Sequence, residues 1–218
     1  MCPRYDDTVA RKKEAACKRS YSLGKRLELS DQKRATILGE LRKQLEAKGF
    51  TGLTLDGLAE ASGITRQTIY NLFASRTGLL EALFDQIALD GGMERMRSVM
   101  TAANPEMMLA GFVEIFSNFW SKDRILIRRI HGIAAVDPEF GAVIEARNQR
   151  RRFAATRVIE MLDRQSGRDG ADREQRIATL HALTSFEFFD ALSESCGGVD
   201  QAARLLRRIV KNALSTVS

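Results

Sequence analysis

Apolar residues along the chain recur at intervals of three and four, and runs that alternate with a period of two between turn residues are lacking. Between Ser30 and about Lys48, the residues Ile37, Leu38, Leu41 and Leu45 fall on one side of a helix that Gly49 ends. A short helix is expected to open at Thr54 with Leu55, Leu58 and Ala59 facing inward. Gly63 then turns the chain into another, capped by Thr65, whose inner side is Ile64, Ile69 and Phe73. After Ser75, a further capping residue, Leu79, Leu80, Leu83, Phe84 and Ile87 outline a helix that bends or ends at Gly91 and Gly92. The stretches "NPEMM" and "DPEFG" place a capping side chain, Asn104 or Asp137, ahead of a proline that fills the first helical position without losing a hydrogen bond. "MMLAGFVEIFSNFW" is apolar almost all round, the pattern of a helix enclosed by others. At the end of the chain, Ala202, Leu205, Leu206, Ile209, Val210, Ala213, Leu214 and Val217 form one broad stripe, with Arg204, Arg207, Arg208 and Lys211 opposite. The predicted fold class is all-α.

Composition narrows the setting. The 218 residues are 44% hydrophobic and 28% charged, ordinary for a globular protein. No apolar run approaches the roughly 18 residues of a membrane span, nor is there an apolar leader in "MCPRYDDTVARKKEAACKRS", so the expected location is the cytoplasm. Cys2, Cys17 and Cys196 share no metal-binding or disulfide spacing. The formal charge is +6, and its position matters more than its sum. Residues 1–29 hold eight Lys or Arg against four Asp or Glu, residues 30–50 hold five against three, and the rest of the chain cancels. The first segment therefore reads as a basic arm of tail-like composition, suited to phosphate or the minor groove.

On the helix capped by Thr65, positions 66, 67, 70 and 71 share one face, so Arg66, Gln67, Tyr70 and Asn71 project together beside the hydroxyls of Thr65 and Thr68. Arg reads guanine or grips phosphate, Gln and Asn bond adenine, and Thr and Tyr hydroxyls donate to phosphate oxygens. The helix starts at Thr54 and Thr65 add free amides that favour phosphate. A helix, a glycine turn and a second, polar-faced helix is the helix-turn-helix arrangement, in which the second helix enters the major groove.

"TLDGLAEASGITRQTIYNLFASRTGLLEALF", residues 54–84, resembles the signature of the TetR family of bacterial transcriptional repressors, and the helix from Ser30 to the "GF" at 49–50 matches as well. Within it Gly63 resembles the turn glycine, Ile64, Ile69 and Phe73 the core positions, and Tyr70 an aromatic phosphate contact. Arg76 stands where the family usually has a phosphate-binding lysine. Gln67, Asn71 and Leu72 depart from the commoner residues, which bears on the operator sequence and not on the fold; Asp56 leaves the second helix less basic than in many relatives. The resemblance implies three segments: a basic arm at 1–29, a DNA-binding domain at 30–78 and an effector-binding and dimerisation domain at 79–218. It also implies a homodimer on an inverted-repeat DNA operator, released by a small-molecule effector, and repression more often than activation.

The residues give the second domain independent support. Met107, Met108, Phe112, Phe116 and Trp120, with His131 on the next helix, supply soft, aromatic and polar side chains for a pocket, although each also suits a plain core. Arg150, Arg151 and Arg152 read as a solvated face. The apolar members of "TLHALTSFEFFDAL", including Phe186, Phe188, Phe189 and Leu192, and the stripe containing Leu205, Leu206, Ile209 and Val210 serve either a two-fold helical interface or the internal core. With His131 and His181 the only histidines, and with no nucleophile elbow or Gly-rich phosphate loop, nothing nominates a catalytic site, metal site or cofactor. The competing reading is a helical interaction protein whose DNA-binding head has lost its function.

Overall fold

The computed structural model describes the backbone of residues 7–49, 53–168 and 170–216, and the side chains of these residues other than 7–24, 48 and 216. The described residues form eleven α-helices and one 3-10 turn. The first four helices are α1 (Asp7–Lys48), α2 (Leu55–Ser62), α3 (Arg66–Phe73) and α4 (Arg76–Asp90). After the 3-10 turn Met93–Arg95 and the short α5 (Met96–Val99) come α6 (Pro105–Lys122), α7 (Arg124–Val136) and α8 (Pro138–Ser166). The chain closes with α9 (Arg173–Leu183), α10 (Phe186–Ser195) and α11 (Val199–Thr216). No described helix is long and apolar enough to cross a membrane.

The caps expected from sequence all form. Thr54 accepts from Gly57 N, Thr65 from Thr68 N, Ser75 from Gly78 N, Asn104 from Glu106 and Met107 N, and Asp137 from Phe140 N. Each satisfies amides that a helix start leaves without partners. Gly63 ends α2 at φ 66°, in the left-handed region where a side chain would be strained. Gly78 is required for a different reason, because a Cβ there would lie 2.2 Å from Phe73 O, where α4 begins against the end of α3.

One expected boundary shifts. The first helix does not begin at Ser30 but at Asp7, so the basic segment 7–29 is helical and Ser30 lies within α1. That segment contains no proline, and residues such as Ala, Lys, Arg, Glu and Leu lose little on entering a helix, so nothing interrupts α1 before Lys48. The expected positions of Phe50 and Val217 lie outside the described residues.

Ile37, Leu41 and Leu45 of α1 are fully buried with Leu58, Ile69, Leu79, Leu80, Leu83 and Ile87, which closes a small head. In the larger body α6 is central: Met108, Phe112, Val113, Phe116, Phe119 and Trp120 are buried among α7, α8, α10 and α11. Helix α4 belongs to both, since it packs on α1 and α3 on one side and on α6 and α8 on the other. Two arginines bind head to body: Arg42 of α1 pairs with Asp123 at 2.7 and 3.1 Å, and Arg129 of α7 donates to the carbonyl of Leu45.

Candidate nucleic-acid interface and effector pocket

Helix α3 is held by one side only. Ile69 and Phe73 are buried, and Arg34 of α1 donates from Nη1 to Leu72 O at 2.6 Å with its guanidinium 4.5 Å above the Phe73 ring. The opposite face is open, with Arg66, Gln67, Tyr70 and Asn71 exposed and Tyr70 at 59%. On that face Gln67 Nε2 donates to Asn71 Oδ1 at 2.9 Å, and the Thr65 and Thr68 hydroxyls lie 2.9 Å apart. Arg66 Nη1 donates to both carboxylate oxygens of Asp56 on α2, at 3.2 and 3.3 Å. Thr54 lies exposed at the start of that helix. The structure thus brings six of the expected DNA-facing residues together on α3 and its cap, while Thr54 starts the helix whose Asp56 meets Arg66. Arg76 differs: its Nη1 donates at 2.9 Å to Oδ2 of Asp137, the residue that caps α8, so it bridges the head to the body.

A cavity of about 180 Å³ lies behind α4. Phe84 and Ala88 of α4, Met93, Met96, Phe116, Phe119, Trp120 and His131 line one part, and Ile144, Arg147, Asn148, Arg150, Arg151 and Ala154 of α8 the rest. Of the residues expected in a pocket, Phe116, Trp120 and His131 are there. Met108 and Phe112 are not, because both are fully buried in the packing of α6 and leave no surface toward a ligand. A larger hollow of about 740 Å³ runs between α6, α8, α9 and α11, but no residue of α1 to α4 lines it.

The residues that sequence reasoning missed are on α8. Arg151 does not lie on a solvated face; it is 6% exposed, and its Nη1 donates to the carbonyl of His181 and to Thr184 Oγ1. Thr184 O in turn accepts from Trp120 Nε1 at 3.0 Å. Burial pushes the Arg151 guanidinium down to about 10, against the pull of Glu187 and Glu145, so it remains cationic at neutral pH. Arg147 stands 4.9 Å over the Phe84 ring and pairs with Asp85 of α4 at 2.7 Å, which links the cavity wall to the helix that follows α3. His131 Nδ1 meets Glu187 Oε1 at 2.9 Å and holds that carboxyl down at about 2.

Burial, and next the charge of Arg151, lower the pKa of His181 below its ordinary 6.5; Arg152 adds to this, while the hydrogen bond to Asn148 O and the charge of Glu145 oppose it. The folded value lies below the unfolded one, so His181 contributes stability that is complete above pH 6.5 and is lost as pH falls through the folded value. Urea unfolding between about pH 7.5 and 5.5 should therefore weaken the native protein more than a His181→Gln variant, which keeps a donor toward Asn148. Equal losses would remove His181 as the cause.

The dimer residues also divide. Phe186, Phe189, Leu206 and Val210 are 4%, 0%, 0% and 1% exposed within a single chain, because α10 and α11 pack on α6 and α9. They build the chain's own core. Leu205 and Ile209, with Phe188 and Leu192, are partly buried and retain surface.

Residues 37–83 match the family model described as bacterial regulatory proteins, tetR family. The chain is 29% identical over 139 residues to the HTH-type transcriptional regulator EthR of Mycolicibacterium smegmatis, an alignment that covers 63% of this chain and 63% of that relative's length. Its fold matches a TetR transcription regulator from Haloarcula marismortui with a TM-score of 0.67 at 14% identity, covering 86% of this chain and 98% of the other. A chain described as a putative transcriptional regulator from Saccharomonospora viridis, solved in complex with choline, matches with a TM-score of 0.62 at 18% identity, covering 83% and 96%. With the helix-turn-helix head that its caps and core build, residues 37–83 belong to the TetR family of bacterial regulatory proteins, and the whole chain shares the fold of TetR regulators.

Proposed function

We propose that the protein represses transcription as a homodimer seated on an inverted-repeat operator, with α3 in the major groove, and that a small molecule in the cavity behind α4 releases it. The observation that carries this reading is the exposed face of Arg66, Gln67, Tyr70 and Asn71 on a helix whose other side is fixed by Ile69, Phe73 and Arg34. A reader that is locked from behind presents its side chains at low entropic cost. Two such helices about 34 Å apart meet successive major grooves. The partly exposed Leu205, Ile209, Phe188 and Leu192 offer apolar surface for the second protomer.

Release is supported by where the cavity lies. Phe84 and Ala88 come from α4, and Arg147 grips Asp85 of that helix, so a ligand that moves the cavity wall moves α4 and, through the close contact at Gly78, the end of α3. A ligand that prefers the displaced arrangement shifts the population away from the DNA-compatible one. The S. viridis chain, with its choline, is a protein of this fold that holds a small organic molecule. Anisotropy titration of labelled duplex tests the reading, with two protomers expected per inverted repeat; a single protomer binding a half-site with the same affinity would contradict it.

The pairing of Arg66 with Asp56 gives a sharper expectation. Both side chains are exposed, so the pair is worth at most about 1 kcal/mol and yields readily to phosphate or guanine. Asp56→Asn removes a negative charge from the DNA-facing side and frees Arg66. Operator affinity should rise several-fold, with a salt slope steeper by about one. Unchanged affinity and slope would place Arg66 away from the DNA.

A further inference from the structure

The cavity behind α4 has walls of one charge. Arg147, Arg150 and Arg151 line it, together with Asn148 and His131, and the lining includes neither Asp nor Glu. Two of the three cations have their charge answered elsewhere: Arg147 pairs with Asp85 at 2.7 Å and with Glu81 at 3.6 Å, although its buried Nε has no partner among the described residues, while Arg150 is solvent-exposed. Arg151 is the exception. It is buried, and its hydrogen bonds go to neutral acceptors, the His181 carbonyl, Thr184 Oγ1 and, at a long 3.4 Å, Asn148 Oδ1. Among the described residues no carboxylate comes within ion-pair distance of it, and Glu187 and Glu145 attract it only from further away. A buried guanidinium with no carboxylate in contact is costly, and an anion reaching it lowers that cost.

Resting on the reading of this cavity as the effector site, we propose that it takes a small organic acid, an apolar ring or short chain ending in a carboxylate, which Arg151 holds. The planar fork of arginine suits the two oxygens of a carboxylate, and the long contact to Asn148 leaves Nη2 available to one of them. Phe116, Trp120, Phe119, Met93 and Met96 supply the apolar bed for the rest of the ligand. Size sets a further limit. A volume of about 180 Å³ is close to the roughly 150 Å³ of an apolar cavity that holds benzene, so the occupant is a single ring or its equivalent, smaller than a drug-sized molecule.

The test compares phenylacetate, its neutral amide and phenethylamine by calorimetry on the full chain without DNA. Phenylacetate should bind about tenfold tighter than the amide or more, and the amine weakest. Arg151→Gln should abolish the preference for the acid, bringing its affinity down to that of the amide. Should that variant fail to fold, the preference of the native protein decides alone. Equal affinity for acid and amide overturns the assignment, as do tighter binding of the amine and no binding of any probe into the millimolar range. The same probes added to an operator complex separate this assignment from the regulator reading. Phenylacetate that binds with the expected preference yet leaves the DNA complex intact removes the release step and leaves the assignment standing.

Discussion

An Arg66→Ala, Tyr70→Phe protein is expected to bind its operator about a hundredfold more weakly than the native protein, with helicity and dimerisation unchanged. Loss of an arginine contact to a base edge or phosphate costs about 1–3 kcal/mol, and loss of a hydroxyl hydrogen bond about 1 kcal/mol more. Stability is spared because the substitutions lie on the open side of α3. Tyr70 is 59% exposed, and the packing of the helix is carried by Ile69 and Phe73, neither of which is changed. Exposed positions of this kind usually alter stability by no more than about 0.5 kcal/mol. Circular dichroism and light scattering check the fold and the dimer, and anisotropy on the operator duplex reads the affinity. Retention of tight binding by a folded dimer would move the DNA contact elsewhere, with the basic turns of α1 first in line.

Replacing Asp163 is expected to have the largest effect on stability. This carboxylate is 1% exposed on α8, where it accepts from Arg176 Nη1 and, at 2.8 Å, from Arg173 Nε of α9. Arg176 is itself only 5% exposed, and its Nε has no hydrogen-bond partner among the described residues. Asp163→Ala leaves that guanidinium buried without its counter-charge, a loss of about 3–5 kcal/mol, or a fall in melting temperature of around ten degrees for a chain of this size. Asp163→Leu combined with Arg176→Met should recover most of the loss, since an apolar pair of similar volume carries no uncompensated charge. A small effect of the single substitution would show that water reaches the site.

The elements that are legible in the sequence are those specified by neighbours in the chain. Thr54, Thr65, Ser75, Asn104 and Asp137 each bond an amide within three residues, so the helix starts can be read from side-chain chemistry alone. The exposed face of α3 is legible for the same reason: one period of a short helix fixes that Arg66, Gln67, Tyr70 and Asn71 point together.

What depends on distant packing is harder to see. The broad stripe on α11 announces a buried side but not what buries it, and Leu206 and Val210 pack on the chain's own α6 and α9. Segment 7–29 lacks apolar periodicity, so its charge suggests a tail although its residues allow a helix. Arg76 meets Asp137, a partner 61 positions away. Arg151 is the most instructive case. Within "RRR" it resembles its neighbours, yet it is in register with the buried Ile144, Ala155 and Val158, and that stripe is the available sign that it faces inward.

Selection of bound duplexes from a random DNA pool, run with the native protein beside the Arg66→Ala, Tyr70→Phe variant, tests the central claim most directly. The native protein should recover an inverted repeat with half-sites one helical turn apart, and the variant should recover none. Failure of a stable native dimer to enrich any sequence, at low as well as moderate salt, would contradict it, as would recovery of the same repeat by the variant.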